Sequence, residues 1–277
     1  MKRRKRIAAT FNYLILIIGA VFILVPLYIT IVNSFKTQAQ SSQSFFTLPS
    51  SLKLENFQSV LSDPYFFSSL KNTAILTFIS IFVIIFMTPM VAYAINRNSD
   101  KKFFKFLLYY ITSAMFVPFQ VVALPLAIFM SKLNLSNNFG AILVYITYAM
   151  IMGVYLCAGY MKTIPNELAE STYIDGASNW TAFFKVIFPL MKPMTATIVI
   201  INFLWIWNEF LIALVLLNKS QAMQTLTLYI YRFKGQYSSN FNLMFATVLM
   251  SIIPITIVYC ALQKHIVAGL TGGAIKN

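Results

Sequence analysis

One polar stretch, Ile164–Pro193, contains the residues whose types and spacing most suggest a functional site. It holds three of the seven carboxylates in the chain, Glu167, Glu170 and Asp175. The chain on either side of it is mostly apolar, so we expect hydrophobic helices to hold this stretch in place. No Cys/His spacing in the chain suggests a metal site.

The local pattern of this stretch predicts a helix, a tight turn and a second helix. Pro165 suits the first helical position, where its missing N–H costs nothing. Glu167 and Glu170 fall in the first turns, where the helix dipole favours negative charge. Gly176 can take the left-handed conformation that ends a helix, and Ser178 is a natural N-cap for the segment that follows.

Composition indicates the solvent in which the chain lies. Of its 277 residues, 59% are hydrophobic and only 10% are charged, with a mean hydropathy of +0.74. A soluble domain carries about 25% charged residues, so the deficit predicts an all-α protein that crosses a membrane several times. The net charge of +14 comes from basic residues at the ends of apolar runs, which is typical of topology signals and argues against nucleic-acid binding.

Apolar runs of the required length, about 20 residues, predict six spans in a single transmembrane domain, 1–277. A cytoplasmic loop, 162–193, joins the fourth span to the fifth. Of the 21 basic residues, 14 fall in segments predicted to be cytoplasmic, which places both termini in the cytoplasm. The six spans are predicted at about 7–32, 72–95, 106–130, 139–161, 194–217 and 243–262.

Glu209 is the only carboxylate inside a predicted span. A charge there costs about 2.5–3.5 kcal/mol on insertion scales, so such groups usually face a bundle interior or a water path. Glu209 is therefore a candidate for a translocation pathway or gate. The run from Trp205 to Phe210 also resembles a stretch of the fifth span in sugar-importer permeases, and this resemblance adds Trp205 and Asn208 as candidates. The alternative is a glutamate near the membrane interface that pairs with a neighbouring subunit, and the sequence leaves both interpretations open.

Three tyrosines in the predicted external loop 218–242, Tyr229, Tyr231 and Tyr237, are candidates for contact with a partner protein or a sugar. The alternative is that they are interfacial tyrosines, as most aromatic residues of a membrane protein are. Cys157 and Cys260 both lie in apolar runs and are expected to be packed thiols.

No G-x-x-x-x-G-K-[ST] motif occurs, so the chain does not cradle ATP phosphates in the usual way. We therefore expect a chain that is not itself an enzyme and holds no cofactor. An ATP-driven process would need an ATPase partner.

The polar stretch resembles the "EAA" loop of ABC importer membrane subunits. The matching residues are Glu170-Ser171-Thr172, Asp175-Gly176-Ala177 and Ile187-Phe188-Pro189-Leu190, with two small residues in place of the alanines. The tail from Gln263 to Lys276 resembles the end of carbohydrate-importer permeases. The resemblance covers nearly the whole chain and is closest to the second, six-span membrane subunit of the maltose/multiple-sugar transporters.

This resemblance implies the transmembrane fold of type I ABC importers. It also implies a homologous permease subunit as heterodimer partner, two ATPase subunits that bind ATP-Mg, an extracellular solute-binding protein and a sugar substrate, in a bacterial cell membrane. The helix from 165 to 176 would dock on the ATPase and couple its closure to alternating access. The implied coupling residues are Pro165, Glu167, Leu168, Glu170, Asp175, Gly176, Ala177 and Pro189.

Two other functions remain open at this point. One is an ABC importer for another class of solute, which would share the central loop but not the carbohydrate-type tail. The other is an ion-coupled secondary sugar carrier, which needs several intramembrane ionisable residues, whereas only Glu209 qualifies.

Overall fold

The computed structural model describes residues 2–165, 167–174, 176–234 and 240–272, and the regular elements within these ranges are helical. A three-residue 3-10 turn, Ala114–Phe116, follows the helix Lys102–Ser113, and a π-helical turn, Phe183–Ile187, follows the helix Asn179–Ala182. Another 3-10 turn, Gln221–Met223, precedes the helix Leu226–Tyr231. The α-helices are α1 (Lys2–Ser34), α2 (Gln38–Gln43), α3 (Glu55–Ser62), α4 (Pro64–Arg97), α5 (Lys102–Ser113), α6 (Phe119–Lys132), α7 (Asn138–Met161), α8 (Glu167–Ile174), α9 (Asn179–Ala182), α10 (Phe188–Leu190), α11 (Lys192–Trp207), α12 (Leu211–Leu217), α13 (Leu226–Tyr231) and α14 (Phe241–Gly272).

Four helical segments in the described residues are long and apolar enough to cross a membrane. They are Thr10–Ser34, Pro64–Arg97, Asn138–Met161 and Phe241–Cys260. Two bent helix pairs bring the number to as many as six if each pair is one span. These pairs are Lys102–Phe116 with Phe119–Lys132, bent by 103°, and Asn179–Leu190 with Lys192–Trp207, bent by 74°. The predicted count of six spans stays a prediction.

The region predicted as the third span, 106–130, falls in two helices, α5 and α6, instead of one continuous helix. Pro118 is the N-cap of α6 and has an extended backbone, with ψ 137°. Proline lacks the N–H that would continue the hydrogen-bond ladder, so the chain breaks there. Pro125, by contrast, lies inside α6.

The region predicted as the fifth span, 194–217, is also interrupted. Helix α11 ends at Trp207 and α12 begins at Leu211, so the residues between them form a break.

The second predicted span begins earlier than expected, because α4 starts at Pro64. There the Asp63 carboxylate accepts a hydrogen bond from the Tyr65 backbone N–H at 2.9 Å and caps the helix.

The chain divides into two compact units. The first contains the residues up to Phe67 together with Tyr229–Pro254. Its polar centre is Asn56 on α3, whose amide donates to the carbonyls of Ser34 and Lys36, both at 2.8 Å. The Lys36 ammonium is buried, and burial lowers its pKa; it donates to the Ser44 carbonyl at 2.9 Å.

The second unit contains Ser68–Leu228 and the residues from Ile255 onward. Its core surrounds α7, which packs on α5, α11 and α12. Two glycines on α7 permit close approach: a Cβ on Gly140 would overlap the Leu135 carbonyl, and a Cβ on Gly153 would lie 2.7 Å from the Thr88 side chain. The buried α7 residues are Gly140, Ala141, Ile142, Val144, Tyr145, Ile146, Ala149, Gly153, Val154, Cys157, Ala158 and Met161.

The two cysteines differ in environment. Cys157 is buried in the α7 core, as expected, but Cys260 is exposed. The expectation of two packed thiols was wrong for Cys260, because a hydrophobic run facing lipid and one facing a core have the same sequence pattern.

Candidate functional site

The polar stretch begins with the short helix α8 and a left-handed glycine. Gly176 has φ +78°, as predicted for the residue that ends this helix. The Gly176 N–H donates to the Tyr173 carbonyl at 3.0 Å, and the Ala177 N–H donates to the Thr172 carbonyl at 3.1 Å. These bonds satisfy carbonyls at the helix end that have no partner within the helix.

The predicted cap of the next segment is also present. The Ser178 hydroxyl accepts a hydrogen bond from the Thr181 N–H at 3.3 Å, at the start of α9. Pro165 lies ahead of the described helix, which begins at Glu167, so the expectation that it occupies the first helical position is not met in α8 as described. Asp175 lies outside the described residues.

The surface of α8 is open to solvent in the isolated chain. Glu167 and Glu170 are exposed, and so are two apolar residues, Leu168 at 42% and Ile174 at 86%. Exposed apolar side chains beside carboxylates are a common feature of surfaces that bind another protein.

A compact aromatic segment follows α8 and α9. Phe183 and Ile187 are buried within the π-helical turn, while Pro189 is exposed in α10. The Phe183 ring packs against Phe188 with ring centroids 5.7 Å apart. The chain then bends by 74° into α11.

The end of α4 contacts α8, a relationship that the local sequence pattern does not predict. The Tyr93 and Tyr173 hydroxyls are 2.7 Å apart, and the Arg97 guanidinium lies 4.8 Å from the centre of the Tyr173 ring. Arg97 also lies 3.9 Å from the Glu170 carboxylate. Tyr93 and Arg97 are one turn apart on α4 and therefore share a face of the helix. This spacing was the feature of the sequence that could have indicated a common contact surface.

A groove of about 250 Å³ opens beside these contacts. Tyr93 and Arg97 line one side of it, and Asn179 and the exposed Trp180 line the other. The second half of the polar stretch therefore lies against the end of α4.

Glu209 lies in the break between α11 and α12 and serves as a helix cap. Its carboxylate accepts hydrogen bonds from the N–H groups of Ile212 at 2.8 Å and Ala213 at 3.1 Å. The hydroxyl of buried Tyr145 on α7 donates to the same carboxylate at 3.3 Å. Thr227 donates to the Glu209 backbone carbonyl at 2.8 Å. The charge therefore has several donors within its own chain.

Tyr145 contacts both Glu209 and Trp205. Its ring packs edge-to-face against the Trp205 indole, with ring centroids 5.9 Å apart. Trp205 also lines a cavity of about 330 Å³ together with Tyr148 and Asn202. Asn208 is exposed, and its amide donates to the Leu204 carbonyl of its own helix at 2.8 Å.

The three candidate tyrosines do not form one surface. Tyr229 is only 1% exposed, so the expectation that it touches a partner or sugar is corrected. Its hydroxyl donates to Asp63 at 3.0 Å, and Arg232 lies 3.9 Å from the same carboxylate oxygen. Tyr231 is 45% exposed, and Tyr237 lies outside the described residues.

Burial, and then the hydrogen bond to Asp63, raise the pKa of the Tyr229 phenol above its ordinary value. The phenol therefore stays protonated and remains a donor.

Among the described residues, no group of three or more His, Cys, Asp and Glu side chains could hold a metal ion.

The family model described as "Binding-protein-dependent transport system inner membrane component" matches residues 88–272. The multiple sugar-binding transport system permease protein MsmG of Streptococcus mutans is 41% identical over 281 residues, which cover 100% of both chains. The probable starch degradation products transport system permease protein AmyC of Thermoanaerobacterium thermosulfurigenes is 34% identical and covers 96% of this chain and 97% of its own. The melibiose/raffinose/stachyose import permease protein MelC of Bacillus subtilis is 34% identical, with 91% of both chains covered.

Two solved structures have similar folds. The crystal structure of a bacterial ABC transporter involved in the import of the acidic polysaccharide alginate matches with a TM-score of 0.77 at 26% identity, covering 95% of this chain and 97% of that one. The bacterial alginate ABC transporter in complex with an alginate pentasaccharide-bound periplasmic protein matches with a TM-score of 0.70 at 17% identity, covering 91% and 92%. The all-helical chain has the transmembrane fold of type I ABC importers. It belongs to the family of binding-protein-dependent transport system inner membrane components, as a multi-pass permease of ABC importers.

Proposed function

We propose that this chain is one permease subunit of an ATP-driven, binding-protein-dependent importer of sugars, with oligosaccharides as the substrate class. The relatives that support this substrate class are named for multiple sugars, for starch degradation products and for melibiose, raffinose and stachyose. The first of them spans this chain from end to end.

The observation that carries the proposal is the exposed surface of α8. Leu168 and Ile174 offer apolar contacts, and Glu167 and Glu170 place negative charge beside them. A partner with an apolar cleft and a basic rim would bury this surface, and we assign that role to a cytoplasmic ATPase. Gly176, with its left-handed backbone, returns the chain from α8 towards α9.

The assembly that we propose contains this subunit, a homologous permease subunit, two ATPase subunits that bind ATP-Mg, and an extracellular sugar-binding protein. The sugar path would run between the two permeases. Both termini would lie in the cytoplasm of a bacterial cell, because basic residues are concentrated in the segments assigned to that side.

Within this subunit, α8 and the residues around it would couple ATPase closure to alternating access by rigid-body movement. The coupling residues proposed are Pro165, Glu167, Leu168, Glu170, Gly176, Ala177 and Pro189, with Asp175 included from the sequence alone. Trp205 lines a cavity and is a proposed pathway residue. Asn208 and Glu209, which follow it in the sequence, are proposed as pathway or gate residues as well. Of the three candidate tyrosines, Tyr231 is exposed in the described part of the chain and is proposed to contact the binding protein.

The test is to purify the subunit in mild detergent with the proteins that accompany it and to assay ATP hydrolysis. The assay is run with and without the binding protein and with a panel of oligosaccharides. We expect an ATPase to co-purify and one sugar class to raise its rate, which would also identify the substrate.

Purification of a functional subunit without any ATPase would contradict the proposal. It would favour an ion-coupled sugar carrier, for which uptake would depend on a proton or sodium gradient and not on ATP. If an ATPase co-purifies but responds only to a solute other than a sugar, the importer mechanism stands and the substrate class is wrong.

A further inference from the structure

Helix α8 is attached to the membrane helix α4 by contacts that converge on one side chain, Tyr173. Its hydroxyl is 2.7 Å from the Tyr93 hydroxyl, and its ring lies under the Arg97 guanidinium at 4.8 Å from the ring centre. Tyr93 and Arg97 are separated by one turn of α4 and present one face to α8. Tyr173 is therefore held both at its ring and at its hydroxyl.

A second set of contacts fixes the same face of α4 to the aromatic segment after α8. The Tyr93 ring lies 5.3 Å from Phe183, and the Phe86 ring stacks on Phe188 at 5.6 Å. Residues 86 and 93 are two turns apart, so the aromatic segment contacts α4 at two positions along the helix. The α8 contact is the part of this arrangement that lies nearest the exposed surface proposed to meet the ATPase.

The ion pair between Arg97 and Glu170 adds little to this attachment. Its atoms are 3.9 Å apart, and the Glu170 side chain is more than half exposed. Exposed pairs of this kind are screened by water and are worth little. Glu170 therefore remains available for a basic group of a partner, while Arg97 acts mainly through the Tyr173 ring.

We infer that Tyr173 is the positioning residue through which displacement of α8 is transmitted to α4. The inference rests on the proposed function, in which the ATPase moves α8. The backbone joins α8 only to the elements before and after it in sequence, α7 and the segment that leads to α11. Helix α4 has no such direct covalent link to α8, so it follows α8 through noncovalent contacts, and the 2.7 Å contact between the Tyr173 and Tyr93 hydroxyls is one that α8 makes itself.

The test uses the complete transporter in proteoliposomes, supplied with its binding protein and with the oligosaccharide that most stimulates its ATPase. Sugar uptake and ATP hydrolysis are measured in the same vesicles, and their quotient is the number of sugars imported per ATP. The variants are Tyr173→Phe, Tyr93→Phe and the double variant. Each removes only a hydroxyl and leaves the ring contacts intact.

We expect each single variant to lower the number of sugars per ATP about fivefold, the effect of one lost hydrogen bond on a two-state equilibrium. The double variant should lose no more than either single one, because all three lack the same hydrogen bond. ATP hydrolysis and assembly should stay at the wild-type level. Tyr155→Phe, at an exposed tyrosine of α7, is the matched control and should leave the quotient unchanged.

Three results would overturn the inference while leaving the proposed function intact. One is a wild-type number of sugars per ATP in both single variants. Another is a loss in the double variant equal to the product of the two single losses. The last is a parallel fall in uptake and hydrolysis, which would indicate a purely structural role. If the wild-type complex itself shows no sugar-dependent hydrolysis, the proposed function fails, and this inference fails with it.

Discussion

The Tyr145 hydroxyl donates a hydrogen bond to the Glu209 carboxylate at 3.3 Å, across 64 residues of sequence. The same carboxylate caps α12 through the N–H groups of Ile212 and Ala213. The sequence left two roles open for Glu209, a pathway charge and a partner for another subunit. The observed contacts add a third, in which the carboxylate stabilises a helix break by bonds within its own chain.

Glu209→Ala should remove this cap and leave the Tyr145 hydroxyl without its acceptor. We expect the free energy of unfolding to fall by about 2 kcal/mol. Glu209→Gln keeps one acceptor oxygen, so it should cost less than half as much and retain most of the sugar uptake. The measurements are the thermal unfolding midpoint of the purified complex and the initial rate of uptake.

Asn208→Ala is the matched control, because Asn208 is an exposed neighbour bonded only to a carbonyl of its own helix in the contacts described. It should change the unfolding midpoint little. An unchanged unfolding midpoint in Glu209→Ala would contradict the cap. A complete loss of uptake in Glu209→Gln at an unchanged unfolding midpoint would indicate that the charge itself takes part in transport.

Local signals were sufficient to predict the turn of the polar stretch. Gly176 adopts the left-handed conformation, and Ser178 caps the following segment, because both preferences depend on a few neighbouring residues. The all-helical class followed from the apolar runs in the same way. The alternation of apolar and basic segments carries this information without any tertiary contact.

Contacts between distant residues could not be predicted in this way. Tyr93 meets Tyr173 across 80 residues, and Tyr229 meets Asp63 across 166. A tyrosine in a polar segment has the same local pattern whether it is exposed or buried against a carboxylate. The break near Glu209 was missed for a related reason, since the run around it remains apolar when the helix stops.

Gly140→Ala should destabilise the chain, because its Cβ would overlap the Leu135 carbonyl and crowd the end of the Met130 side chain at 2.8 Å. We expect a loss of about 2 kcal/mol in the free energy of unfolding, typical of an overpacked core. Gly159→Ala on the same helix is the matched control, since no atom beyond its chain neighbours and the nearby backbone of its own helix lies within 4 Å of the added Cβ. It should gain about 0.5 kcal/mol from helix propensity.

Denaturation of the purified subunit, followed by near-ultraviolet circular dichroism, measures both changes. Equal midpoints for the two variants would show that the loop carrying Leu135 moves aside at little cost. The close approach of this loop to α7 would then not be a constraint on the core.

Tyr229→Phe should lower the free energy of unfolding by about 1.5 kcal/mol, because Asp63 loses a buried donor. Tyr231→Phe, at an exposed tyrosine two residues away, should change stability little and serves as the control. The raised pKa of Tyr229 means that its contribution is complete below about pH 10, the ordinary pKa of tyrosine, and declines as the pH rises through the folded value.

The unfolding midpoint should therefore decline less steeply above pH 10 in Tyr229→Phe than in the wild type. Identical alkaline slopes would contradict a contribution of the Tyr229–Asp63 hydrogen bond to stability. Impaired binding-protein affinity in Tyr229→Phe, at wild-type stability, would instead restore a contact role for this tyrosine.

Gly176→Val should abolish uptake while the subunit still enters the membrane. The glycine has φ +78°, which a β-branched residue adopts only with strain, and no atom lies within 4 Å of the added Cβ. The effect therefore comes from the backbone alone. Gly176→Asn is the matched control, because asparagine tolerates the left-handed conformation, and it should keep most of the uptake. Uptake is compared with the amount of subunit in isolated membranes. Normal uptake by Gly176→Val would contradict the coupling role of α8. Equal losses of uptake in both variants would show that the defect comes from side-chain bulk at the surface proposed to dock on the ATPase.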